Sequence, residues 1–134
     1  MGYNIIDIEG IGPKYAEALK KNGITKTDDL LKIKQKNVED MAKKIDVPKK
    51  NLDKWIEMAD LMRIKGVAEE YSEALNHIGI DSVKEFKHRN AANTLTKLEE
   101  LDKEFPDKLR KLPNVDMISE WIAEAKKLPD LDIN

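Results

Sequence analysis

Four consecutive residues, Gly10-Ile11-Gly12-Pro13, carry the clearest chemistry in this sequence. Two of the first three have no side chain, and Pro is favoured at the first position of a helix. The run therefore reads as a tight hairpin feeding a helix N-terminus. The first N–H groups of a helix have no partner inside it. With the helix dipole they attract anions, and glycine lets a group as large as phosphate approach the backbone. The same residues fit a second description, a sharp interhelical turn that needs glycine and binds nothing. Other candidates are poorer. His77 and His88 are the two histidines of the chain, and they read as a helix-end residue before Gly79 and a surface residue rather than as metal ligands. Asp28-Asp29, Glu39-Asp40 and Glu99-Glu100 are adjacent pairs, which point in different directions on a helix and do not form an acid–base couple. No Ser-His-Asp set, nucleophile elbow or Walker loop is present, and the expectation is a protein that is not an enzyme.

The elements that must position the hairpin are helical throughout. Helix one should run from Pro13 to about Asn22, with Tyr15, Ala16, Ala18 and Leu19 inward and Gly23 closing its end. A second helix should start with Thr27 as N-cap and Asp28 and Asp29 in its first turn. A third starts near Asn37, with Val38, Met41, Ala42 and Ile45 on one side. A fourth follows Pro48, with Leu52, Trp55, Ile56 and Ala59 at helical spacing. The plan then recurs: a helix with Tyr71, Ala74, Leu75 and Ile78 ending at Gly79; one opened by Ser82 with Glu85 as a capping box; one over about Ala91–Leu101; and one after Pro113 with Met117, Ile118, Trp121, Ile122 and Ala125 on its core face. Trp55 and Trp121 are expected in the core rather than stacked on bases. Pro129 and Asp130-Leu131-Asp132 read as a tail.

The recurrence is visible residue by residue. Adding 56 to Ile8, Gly10, Tyr15, Glu17, Ala18, Leu19, Gly23 and Ile24 gives Ile64, Gly66, Tyr71, Glu73, Ala74, Leu75, Gly79 and Ile80. Val47-Pro48 with Trp55 is echoed by Leu112-Pro113 with Trp121 at offsets of 65 and 66, so the second copy is longer by roughly ten residues, inserted between Phe86 and Leu112. The expected organisation is a first repeat over 1–62, a second over 63–128 and a tail over 129–134.

Composition bounds the function. The 134 residues are 40% hydrophobic and 37% charged, with no cysteine, which removes disulfides and thiolate metal sites. No stretch is apolar enough to span a bilayer, and the N-terminus does not read as a signal peptide, so a cytoplasmic location is expected. The formal net charge is −2, whereas dedicated DNA-binding domains are usually basic. Residues 1–62 hold 12 Lys/Arg against 11 Asp/Glu, and residues 63–134 hold 12 against 15.

Five segments carry a resemblance over nearly the whole chain: Ile8 to Pro13 with Tyr15-Ala16; Gly23-Ile24 with Asp29-Leu30-Leu31; Trp55 with Ala59 to Gly66; Glu70-Tyr71-Ser72; and Trp121 with Ala125 to Pro129. Together they resemble a family of tandem helix-hairpin-helix proteins described as domain of unknown function 4332. The first hairpin is similar to the DNA polymerase beta type. The resemblance implies an all-α fold of two tandem helix-hairpin-helix (SAM-like) repeats, about four short helices each, packed as one compact unit. It implies that the backbone N–H groups of Gly10, Gly12, Lys14 and Tyr15 face a DNA phosphate, with Ile11 plugging the hairpin into the core. It also implies that the carbonyls of Ile6, Ile8 and Ile11 can hold a Na+ or K+ ion, and Lys14 would add a charge-assisted contact. No other cofactor and no side-chain metal ligand is expected. In the second hairpin Gly12 corresponds to Ala68 and Pro13 to Glu69, and Glu69 and Glu70 take the anion's place, so that copy is expected to be structural. Two functions follow: a non-enzymatic module that binds DNA weakly and without sequence preference, or a protein-interaction scaffold that has lost nucleic acid.

Overall fold

The computed structural model describes residues 2–131. Eight α-helices follow one another: α1 (Pro13–Lys21), α2 (Thr27–Leu30), α3 (Val38–Lys44), α4 (Lys49–Leu61), α5 (Glu69–His77), α6 (Val83–Phe86), α7 (Ala91–Glu104) and α8 (Val115–Lys127). Among the described residues there is no strand, only a single antiparallel bridge between Asn4 and Lys26. No described helix is long and apolar enough to cross a membrane.

The helix ends follow local chemistry. At the end of α1, the Ile24 N–H donates to the Leu19 carbonyl at 3.0 Å and the Gly23 N–H to Lys20 at 3.0 Å, the paired bonds of a Schellman turn. Helix α5 ends identically, Ile80 donating to Leu75 at 3.0 Å and Gly79 to Asn76 at 3.1 Å. Ser82, Asn90 and Asn114 cap α6, α7 and α8, each accepting the N–H three residues on. Thr27 differs from expectation. It is the first residue of α2, and its Oγ1 accepts the Tyr3 N–H at 3.1 Å. The capping is done from inside, by Asp29, whose Oδ2 accepts the N–H groups of Thr25 and Lys26 at 3.0 and 3.1 Å. Those two bonds hold its carboxyl below the ordinary Asp range. The segment before the first hairpin is a single 3-10 turn, Ile5–Asp7, tied back to this corner because Thr27 N–H donates to Tyr3 and Ile5 N–H to Thr25.

Buried side chains form two adjoining clusters that meet along α4. Ile8, Ile11, Leu19, Leu30, Leu52, Trp55 and Ile56 fill the first, and Leu61, Ile64, Leu75, Val83, Phe86, Leu98 and Trp121 the second. Helix α4 thus contributes Trp55, Ile56 and Met58 to one side, followed there by its C-cap Met62, and Leu61 to the other. Asp60, 1% exposed, pins the junction: its Oδ2 accepts the Val83 N–H at 2.7 Å and its Oδ1 the Arg63 guanidinium at 2.7 Å. Arg63 in turn donates to the Pro129 carbonyl at 2.6 Å, and Asp130 pairs with Lys87. Leu131 packs on the first cluster. Residues 129–131, read from the sequence as part of a tail, are therefore fastened across both halves; Asp132 lies outside the described residues. Helix α7 runs three residues past Leu101, the expected end, to Glu104.

Candidate functional site at the first hairpin

The turn is closed by the Ile11 N–H, which donates to the Ile8 carbonyl at 3.1 Å, and both isoleucine side chains are buried. Gly10 between them has φ 96°, in the left-handed region where a Cβ is strained. A Cβ there would also lie 3.3 Å from Nε1 of Trp55. Trp55, buried on α4, supports the turn from beneath, with the Tyr15 ring tilted against it at 5.4 Å. Gly12 is of another kind. Its φ of −85° and ψ of −179° suit any residue, and a Cβ there meets nothing within 4 Å. It is the N-cap of α1 and supplies no side-chain acceptor. Among the described residues no acceptor takes the N–H groups of Gly10, Gly12, Lys14 or Tyr15.

The second half builds the same piece. Val67 N–H donates to the Ile64 carbonyl at 3.0 Å, Gly66 has φ 94°, and Tyr71 packs on Trp121 with ring centroids 4.8 Å apart. The contact is tighter, since a Cβ at Gly66 would lie 2.9 Å from Trp121 Nε1. Glu70 in the first turn of α5 does not turn back to its own helix end. Its carboxylate accepts the Arg110 N–H at 2.5 Å and the Arg110 Nε at 2.9 Å. Burial pushes this carboxyl up, but the Arg110 bonds outweigh burial and hold it below the usual Glu range. Glu73 pairs with Lys108, and Tyr71 donates to the Lys111 carbonyl at 3.1 Å. Three consecutive contacts thus strap residues 108–111 onto α5. Burial, then the Glu70 charge, raises the Tyr71 hydroxyl.

Residues 104–108, which lead into the strapped segment, lie opposite the first hairpin and make a cleft of about 990 Å³ with it and with α5. Gly10, Ile11 and Gly12 line this cleft; Lys14 and Tyr15 do not. Asp7 and Glu9 line the hairpin side, Glu69, Glu70 and Glu73 the α5 side, and Glu104 and Asp107 the far wall. The cation among the lining residues, Lys108, is already paired with Glu73. Two apolar side chains stand in the same cleft partly open to solvent, Ile6 (49% exposed) and Phe105 (41%). Of the three carbonyls considered for a cation, that of Ile8 already accepts the Ile11 N–H, which leaves it one lone pair. Among the described residues, no group of three His, Cys, Asp or Glu is arranged to hold a metal ion.

The residues that sequence reading missed are those of the far wall, Glu104, Phe105 and Asp107. They lie some 90 residues from the hairpin in the chain, and no periodicity links them to it. The roughly ten-residue surplus of the second copy was the available signal, because these residues fall in the interval between Phe86 and Leu112 that holds it.

The arrangement defines a compact, all-helical protein in which one glycine-on-tryptophan corner is built twice. The chain belongs to the family described as a domain of unknown function (DUF4332), whose model matches residues 9–128. No curated protein and no solved structure matches this chain.

Proposed function

We propose that this chain is a non-enzymatic, protein-interaction module built on two helix-hairpin-helix repeats, the second of them degenerate. The observation that carries the reading is the sign of the charge at the hairpin. An anion reaching Gly10 and Gly12 from the cleft meets carboxylates on three sides: Asp7 and Glu9, Glu69, and Glu104 with Asp107. A surface of this charge repels a polyanion and accepts cationic groups.

A second reading, weak DNA binding without sequence preference, is favoured by one specific observation: the unclaimed N–H groups of Gly10, Gly12, Lys14 and Tyr15 at the start of α1. In that reading the phosphate approaches from the Lys14 side, and any Na+ or K+ ion sits on the carbonyls of Ile6, Ile8 and Ile11.

The open space at Gly12 gives a clean test, because Gly12→Asp fits the backbone and places a carboxylate where a phosphate would sit. Fluorescence anisotropy with labelled single- and double-stranded DNA at low salt is expected to give no Gly12-dependent binding. Binding that Gly12→Asp abolishes while the melting temperature stays put, and that weakens with salt at about 0.9 log units per phosphate on duplex, would establish the DNA reading instead.

A further inference from the structure

We propose that the cleft between the first hairpin and residues 104–108 docks a short basic segment of another protein, carrying one aliphatic or aromatic side chain between its cationic residues. This rests on the interaction-module reading above and names the partner's chemistry.

The apolar part comes first. Tyr3, Ile6, Phe105 and Val115 are the large hydrophobic side chains left exposed among the described residues, and two of these four stand in this one cleft. Phe105 is held in place, its ring edge-on to His77 at 5.4 Å with Lys108 Nζ 5.8 Å from its centroid. The wall behind it is strapped to α5 through Arg110, Lys108 and Lys111. A pre-organised wall lowers the ordering cost of binding. The cleft lies at the upper end of ordinary ligand pockets, roughly 300–1,000 Å³, and accommodates a side chain with its neighbouring backbone.

Charge selects the occupant. Glu70 and Glu73 are neutralised by Arg110 and Lys108, and Glu69 shares the Arg110 charge, but Asp7, Glu9, Glu104 and Asp107 form no ion pair among the described residues. Carboxylates that crowd two open apolar side chains complement a chain in which Lys or Arg flanks an apolar anchor. They disfavour nucleic acid and acidic peptides alike.

The test uses the whole chain, ¹⁵N-labelled, titrated with an octapeptide of seven lysines and one central leucine, with octalysine as the control. The leucine-bearing peptide is expected to shift the amides of Gly10, Gly12 and Phe105. Phe105→Ala should weaken it about tenfold, the scale of losing a central aromatic contact, and Glu9→Lys about threefold. Ile6→Ser supplies a second apolar variant that leaves the Phe105 loop untouched, and thermal melts confirm that each variant folds. Octalysine should bind about tenfold more weakly. Equal binding of the two peptides, shifts confined to the lysine-rich first half, or no peptide binding overturns the proposal. A dimer that Phe105→Ala dissociates overturns it too and assigns the cleft to a second copy. A short DNA duplex in the same titration separates the failures. If neither peptide nor duplex binds, the docking proposal falls and the interaction-module reading stands. If the duplex binds in a Gly12-dependent way, the reading itself falls.

Discussion

At the scale of single residues, the two hairpin glycines and Gly12 obey different physics. Gly10 and Gly66 are needed because the backbone is left-handed and an indole lies against it. Gly12 has neither constraint. Forcing an L side chain into the left-handed region costs about 1–2 kcal/mol, and the 2.9 Å approach to Trp121 adds to that cost at Gly66, since a buried indole cannot swing away. Gly66→Ala is therefore expected to destabilise by about 3 kcal/mol in all, Gly10→Ala by less, and Gly12→Ala by only a few tenths. Urea midpoints at constant slope measure the series, and a Gly12→Ala cost equal to that of Gly66→Ala would contradict this account of the hairpin. The sequence treated Gly10 and Gly12 alike, as phosphate-facing, and marked Gly66 as the counterpart of Gly10 in a structural copy. The difference between them lies in φ and in what the indole touches, which residue type alone does not encode.

At the scale of elements, the start of each helix shows which ends are secured locally. Helices α6, α7 and α8 carry Ser82, Asn90 and Asn114 caps, whereas α1 and α5 begin at Gly12 and Ala68 with no side-chain acceptor. Asn114→Ala should cost about 1 kcal/mol, and Ala68→Ser, at a backbone geometry already suited to capping, should gain a similar amount. Thermal melts of the two variants shifting in opposite directions would bear this out; a neutral Ala68→Ser would mean that the α5 start is satisfied in another way. Helix existence was legible throughout, because Leu19, Leu52, Trp55, Ile118 and Trp121 recur at helical spacing. The exact start at Thr27 was not. Both Thr27 and Asp29 can cap, and the chain-distant Tyr3 N–H claims the threonine hydroxyl.

At the scale of the whole molecule, polar ties add to the apolar packing along α4: Asp60 with Val83 and Arg63, Glu70 with Arg110, Glu73 with Lys108, and Lys87 with Asp130. This has a pH signature. The carboxyls of Glu70, Asp29 and Asp130 are held below their ordinary values of 4.5, 3.8 and 3.8. A carboxyl with a depressed folded-state value stabilises the fold above its unfolded-state value, and that stabilisation is lost as pH falls through the folded one. Stability should therefore be flat from neutral pH down to about 5 and fall below about 4.5. Glu70→Gln is expected to lower the urea midpoint at pH 7 and to match the wild type at pH 2. An unchanged gap at pH 2 would show that the Arg110 strap is not what the ionised carboxylate contributes.

The sequence by itself determined the helical class, the two similar halves, the hairpin at 10–12 and the burial of both tryptophans. These follow from short-range periodicity and from a repeat that any reader can align. Tertiary structure decided the surroundings of the hairpin. Helix α7 is long enough to carry Glu104, Phe105 and Asp107 across to Gly10 and Gly12, and this makes the first hairpin one wall of an acidic cleft. The physical reason is range. Hydrogen bonds and helix periodicity act over a few residues, so their pattern is written locally in the chain. Electrostatic environment depends on distance in space, and beyond Asp7 and Glu9 the carboxylates that set it here come from the far half of the sequence.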